Sequence, residues 1–270
     1  MKKLILVCIL LAAIVTVTGC TGNTATPTAA WAGIEVLNYN VQDADGQNLG
    51  TMTTTIRRKA TEGFSNVLED RTYNNADCRM EMETDTASYN IKTTVLSKGM
   101  YTLAIKKVFT DKLDASKGYV WSGYHEGKRL VYSINGGQTK KLNVGSSGYT
   151  DNEFLYMYLR CYTIENVPSA LNVADPIGGT VTKLSTSYQT QAKAFDAIPY
   201  PGETRAAICN KVTISLAETP KGKGITVYYT PDEAAYNVDS FKESATTTRK
   251  IPVMIVENDI TYVLTGMFVA

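Results

Sequence analysis

Apolar and polar residues alternate with period two along most of the chain, the pattern of strands that bury one face and wet the other. Ile208, Val212, Ile214 and Leu216 alternate with Cys209, Lys211, Thr213 and Ser215. Tyr101, Leu103 and Ile105 repeat the pattern, as do Leu130, Tyr132 and Ile134, then Ile225, Val227 and Tyr229, and finally Ile260, Tyr262, Leu264 and Phe268. Turn-forming stretches separate these runs: His125-Glu126-Gly127-Lys128, Asn135-Gly136-Gly137 and Pro220-Lys221-Gly222-Lys223-Gly224. Connections this short favour antiparallel pairing, because a parallel pair needs a crossover of about a dozen residues.

One segment has a different period. Thr150-Asp151-Asn152-Glu153 has the spacing of a capping box, and Phe154, Leu155, Tyr158, Leu159 and Tyr162 follow at helical intervals. The spacing predicts a helix over 151–164, stopped from running further by Pro168. The expected fold is mainly β: a curved antiparallel sheet or half-barrel whose apolar face is covered by one packed helix. A β-sandwich is the second choice. No internal repeat, heptad run or domain boundary stands out.

The N-terminus follows another logic. Lys2 and Lys3 precede an apolar run from Leu4 to Val17, roughly 14 residues against the roughly 20 of a spanning helix. That is the pattern of an export signal. Val17-Thr18-Gly19-Cys20 then resembles the lipobox of bacterial lipoproteins. The resemblance implies lipidation of Cys20, with cleavage before it, and several acyl chains make a firm anchor where one is marginal. Thr21 rather than Asp after the cysteine implies the outer membrane, if the host has two. Asn23 to Ala32 is small, polar and Pro-containing, which reads as a flexible spacer. The expected organisation is a signal peptide at 1–19, the lipidated cysteine and spacer at 20–32, and a single mainly-β domain at 33–270.

Composition narrows the function classes. Lys and Arg total 27 against 26 Asp and Glu, a balance that argues against a nucleic-acid partner. Cys78, Cys161 and Cys209 are expected to be structural; export permits one disulfide among them, with the pairing open, and the histidines that zinc would need are missing. No nucleotide-binding glycine pattern is present, and no cofactor is implied.

The candidates for chemistry are few. His125 is the single histidine, so a His-based triad has one candidate, which reads instead as an exposed turn residue. Glu81, Glu83 and Asp85 alternate with apolar residues and share one strand face. Such a row can bind a hard cation or serve acid/base chemistry, but more often it is a solvated face that protects the sheet. Arg57-Arg58-Lys59, Lys106-Lys107 and Lys140-Lys141 could face anionic headgroups if they converged; scattered lysines are the expectation. The 17 tyrosines, against 6 Phe and 2 Trp, suit strand surfaces and also a pocket with apolar walls and a polar mouth.

Several short segments, taken in order, resemble the exported bacterial proteins of the domain of unknown function 3108 family. Glu35, Leu37, Tyr39 and Val41 match an opening Glu-x-Leu-x-Tyr-x-Val strand, and Gly46 and Gly50 a Gly-x-x-x-Gly turn. Tyr158-Leu159-Arg160 matches a Tyr-Leu-Arg element that ends a mid-domain helix. Thr219-Pro220-Lys221-Gly222 matches a later turn, and Arg249-Lys250-Ile251-Pro252-Val253 a final strand with one extra residue. The resemblance implies a curved sheet wrapped round a helix, as in lipoprotein carriers, and no catalytic residue.

The function expected from these readings is a membrane-anchored, non-enzymatic envelope lipoprotein that binds a lipid or other apolar ligand in a concave β-surface. Its partners would be membrane lipid through the acylated Cys20, an apolar ligand and an envelope protein. The alternatives are a structural module that holds a protein or cell-wall partner, and a hydrolase of envelope polymers working through Glu81 and Glu83.

Overall fold

The structure, a computed structural model, describes residues 33–99, 101–144, 150–151, 155–160, 162–175, 178–193, 198–200, 203–205, 208–216, 224–230 and 251–269. The strands in chain order are β1 (Ile34–Gln42), β2 (Asn48–Arg58), β3 (Val67–Leu68), β4 (Arg71–Thr72), β5 (Cys78–Thr86), β6 (Tyr89–Lys98), β7 (Tyr101–Asp111), β8 (Tyr119–Glu126), β9 (Arg129–Ile134), β10 (Lys140–Asn143) and β11 (Thr150–Asp151). The helix α1 (Leu155–Leu159) follows, then β12 (Ala170–Asp175), β13 (Thr180–Lys193), β14 (Ile198–Tyr200), β15 (Glu203–Arg205), β16 (Ile208–Leu216), β17 (Ile225–Tyr229), β18 (Pro252–Glu257) and β19 (Ile260–Val269).

Fifteen of these strands form one sheet in the order β10-β9-β8-β7-β6-β5-β2-β1-β19-β18-β17-β16-β13-β12-β11. The first strand pairs with the last long one, so β1 lies mid-sheet between β2 and β19. Neighbours are antiparallel throughout, except that β11 runs parallel to β12. The mainly-β expectation of a curved antiparallel sheet with one helix therefore holds. Among the described residues the sheet is not closed by hydrogen bonds. Its two arms meet through side chains instead: Leu130, Tyr132, Leu142 and Val144 on β9, β10 and just beyond pack with Ala174 and Val181 on β12 and β13.

The alternating pattern carries most of the inner face. Leu37, Tyr39 and Val41 of β1 point inward with Met52 and Ile56 of β2, Met80 of β5 and Val95 of β6, and they share one buried cluster with Val212, Ile214 and Val227 from the other arm. Two bulges reverse it. The register between β1 and β19 shifts at Asn38/Tyr39, which leaves Thr265 as the extra residue and turns Phe268 outward, 58% exposed, opposite Val36. A second shift, at Leu96/Ser97 against β7, turns Tyr101 outward in the same way and Thr102 inward.

The helix is where it was expected but is shorter, and it is placed differently. Asp151 belongs to β11, residues 152–154 lie outside the described residues, and α1 spans only Leu155–Leu159. An amphipathic cover would bury one stripe. Here Leu155, Met157 and Leu159 are all buried, and residues two apart lie on nearly opposite sides of a helix. The helix is thus enclosed by the curled sheet instead of lying over it.

Candidate functional site

The concave face is filled, and what fills it is α1 with the residue that ends it. Arg160 donates from Nη1 to Glu35 Oε1 (2.6 Å) and from Nη2 to Glu35 Oε2 (2.9 Å). Both side chains are fully buried. Glu35 stands at the start of the inward row of β1, opposite Ile56 on β2 and Val269 on β19. The guanidinium also lies 3.3 Å from the Met157 sulfur, so the last turn of the helix folds onto the pair. A two-bond fork of this kind fixes orientation as well as charge.

Tyrosines tie the same region together. Tyr39, 1% exposed, donates to the Pro252 carbonyl at 2.8 Å. Burial pushes its phenol far above the ordinary value, outweighing the downward pull of Arg160. Tyr229 donates to the Tyr156 carbonyl at 2.8 Å, and the Tyr156 hydroxyl donates to Glu257 Oε2 at 2.6 Å. Tyr158 and Tyr162 share a hydrogen bond between their hydroxyls. Part of the tyrosine excess thus has a structural use: rings pack on the core while hydroxyls fasten the helix to the sheet.

Along the inner face, Thr93, Lys107 and Trp121 stand in one cross-strand row on β6, β7 and β8. Thr93 Oγ1 and Trp121 Nε1 are buried and make no hydrogen bond. Buried polar atoms almost always find a partner, so these two atoms leave hydrogen-bonding capacity to spare.

No protein-family model matches the chain, and no curated protein matches it. Among solved structures, it is similar to the crystal structure of a beta-barrel-like protein of the domain of unknown function DUF1849 from Brucella abortus. The two are 11% identical, with a TM-score of 0.50, over 89% of this chain and 99% of that one. What they share is a fold.

The other residues singled out in the sequence are dispersed. His125 is not an exposed turn residue: β8 continues through Glu126, His125 lies half-buried opposite Leu130, and the turn is Gly127-Lys128. Burial pushes its imidazole down to about 4, so it is neutral at pH 7. Glu81, Glu83 and Asp85 do share the outer face of β5, but each is engaged by a cation. Arg57 and Arg79 hold Glu81, Lys92 holds Glu83 and Lys112 holds Asp85, while Asn90 bridges the last two carboxylates.

The basic clusters lie on β2, β7 and β10, separated by intervening strands, and Lys106 and Lys141 are paired with Glu69 and Glu126. Cys209 is a buried thiol pushed up to about 11 by burial, and Cys78 is buried on the inner face of β5. Cys161 lies outside the described residues, as do Cys20, the signal segment and Thr219 to Gly222. Among the described residues no three His, Cys, Asp or Glu side chains come together as a metal-binding set, and no helix is long and apolar enough to cross a membrane.

The residues that sequence reading missed are the partnership itself. Glu35 and Arg160 were both part of matched segments, but nothing in the spacing joined them. A charge in the apolar row Glu35-Leu37-Tyr39-Val41 was the available signal, because a carboxylate there must find a buried partner.

Proposed function

We propose that this chain is a non-enzymatic module of the bacterial cell envelope, exported and tethered through a lipidated Cys20, whose curled sheet takes an apolar or amphipathic guest such as an acyl chain. The observation that supports the binding reading is α1. Five residues are too few to hold a helix unaided. Leu155, Met157 and Leu159 occupy an apolar interior that methylenes would suit equally well, so exchanging one for the other changes little hydrophobic energy. Thr93 Oγ1 and Trp121 Nε1, buried and without partners, offer donors for the polar end of such a guest.

Glu35 to Val41 and Tyr158 to Arg160, two of the segments that resemble the 3108 family, are the two that the buried pair joins. That junction supports reading them as one motif.

Native mass spectrometry of the protein extracted from membranes tests the guest. The expected result is an acyl lipid beyond the covalent anchor, released on denaturation; a protein that carries and accepts no releasable lipid would falsify the binding reading. Labelling with an alkynyl fatty acid tests the tether, and it should tag wild type but not Cys20→Ala.

A second reading is favoured by the filled interior itself: a rigid scaffold that holds an envelope protein or cell-wall partner on its outer surface. Crosslinking in intact cells that captured one dominant protein, with no lipid found inside, would select it.

A further inference from the structure

On the convex face, beneath the β3–β4 hairpin, lies a cavity of about 220 Å³. The hairpin supplies Leu68, Glu69 and Arg71 to its wall, and the outer rows of β8 and β9 supply Ser122, Tyr124 and Ser133. Ser122 and Ser133 are direct cross-strand partners, which sets their hydroxyls side by side. The Arg71 guanidinium lies over the Tyr124 ring, 4.0 Å from its centroid. The guanidinium also hydrogen-bonds the Tyr124 side chain, which fixes the plane of the fork, and its five N–H groups leave others for a ligand.

The charges at the mouth do not cancel. Glu69 is committed to Lys106 on β7. Arg71 makes no ion pair with any described residue, and Glu126, whose charge it feels, is paired with Lys141, so Arg71 keeps a positive charge beside a pair of hydroxyls.

The hairpin holds this arrangement at a cost. Glu69 and Asp70 sit at φ +52° and +59°, the two central positions of a two-residue turn where Asn-Gly is at ease. A non-glycine residue in the left-handed region is strained by roughly 1–2 kcal/mol. The same turn directs Glu69 to Lys106 and Arg71 to Tyr124.

We propose that this cavity binds a small anionic polyol, such as a sugar acid. Arg71 takes the carboxylate through two N–H groups, and the hydroxyls of Ser122 and Ser133 exchange hydrogen bonds with those of the ligand. The ring of the ligand rests on Leu68 and the edge of Tyr124. The volume is below the roughly 300 Å³ at which pockets for drug-sized molecules begin, so the site takes one small unit. The side chains given to the ligand, Leu68, Arg71, Ser122, Tyr124 and Ser133, lie outside the interior cluster that encloses α1, so the site stands or falls independently of the interior.

The test is a calorimetric titration of the full-length protein with sodium glucuronate, with glucose and acetate as comparisons. Wild type should bind glucuronate saturably, and glucose and acetate at least tenfold more weakly. Arg71→Ala should lose at least tenfold and Arg71→Lys should recover part of it, while the melting temperature of both stays that of wild type because Arg71 is exposed. Ser133→Ala should weaken glucuronate and leave acetate unchanged. No saturable glucuronate binding, or equal binding by wild type and Arg71→Ala, overturns the site. Glucose binding as tightly as glucuronate overturns the role given to the charge.

Discussion

Glu35 and Arg160, 125 residues apart in sequence, meet as a fully buried bidentate pair that joins the first strand to the end of the only α-helix among the described residues. A buried pair gains little over well-packed apolar residues, because both charges must leave water, but removing one partner strands the other. Arg160→Met and Glu35→Leu should each cost about 3–5 kcal/mol in urea unfolding, and the double variant should regain most of that loss. Additive losses in the double-mutant cycle would refute the coupling.

Tyr39 belongs to the same row and acts on the backbone. Its hydroxyl gives the Pro252 carbonyl a buried partner at the point where β18 begins. Tyr39→Phe leaves that oxygen unsatisfied and should cost about 1–3 kcal/mol. Tyr188→Phe, at an exposed site, should stay within about 0.5 kcal/mol. Equal denaturation midpoints for the two variants would rule the bond out as a stabilising one.

The strands and the place of the helix were legible because both are written in local periodicity. Leu37, Tyr39 and Val41 fall inward at spacing two, and Leu155 and Leu159 fall inward at spacing four. Phe268 and Tyr101 were misread because a bulge inserts one residue into the ladder without any local mark, and every later side chain changes face. His125 was misread for a related reason: Gly127 alone bends the chain, at φ +60°, so the strand runs two residues further than the polar stretch suggested. Which cation completes the pair could not be read. A buried carboxylate at position 35 demands a cation, and the chain offers 27 Lys and Arg without saying which.

Two glycines that share one sequence motif have unlike structural roles. Gly46 sits at φ +79° in a turn held by Asp43, whose side chain accepts from the backbone N–H of Asp45 and Gln47, and a Cβ there meets nothing. A Cβ on Gly50 would come within 2.0 Å of the Asp85 carbonyl oxygen and 2.7 Å of Thr86 Cα, both backbone of the paired strand. Gly46→Ala should therefore cost only the left-handed strain, about 1–2 kcal/mol. Gly50→Ala must push β2 and β5 apart and should cost at least about 3 kcal/mol, in the class of steric defects that single substitutions seldom exceed. Hydrogen exchange across β2 and β5 would locate the damage, and protection there unchanged by Gly50→Ala would contradict the close approach.

His125 should make the fold sensitive to mild acid. Its folded value is pushed down to about 4 by burial, against 6.5 in the unfolded chain. Between those values the unfolded state takes up the proton first, so stability is complete above about pH 6.5 and is lost as pH falls toward 4. At about 1.4 kcal/mol for each pH unit between the two values, the loss approaches about 3 kcal/mol at the bottom of the window. Carboxylates respond lower down. Glu83 is held below its ordinary value by Asn90 and Lys92, and Asp85 by Lys112 and Asn90, so their contribution fades only as pH falls through the carboxylate range. Urea midpoints at pH 7.5, 6.0 and 5.0 separate the two effects. Wild type should weaken steadily across that series and His125→Gln should stay nearly level; parallel slopes for the two proteins would assign the acid sensitivity to another group.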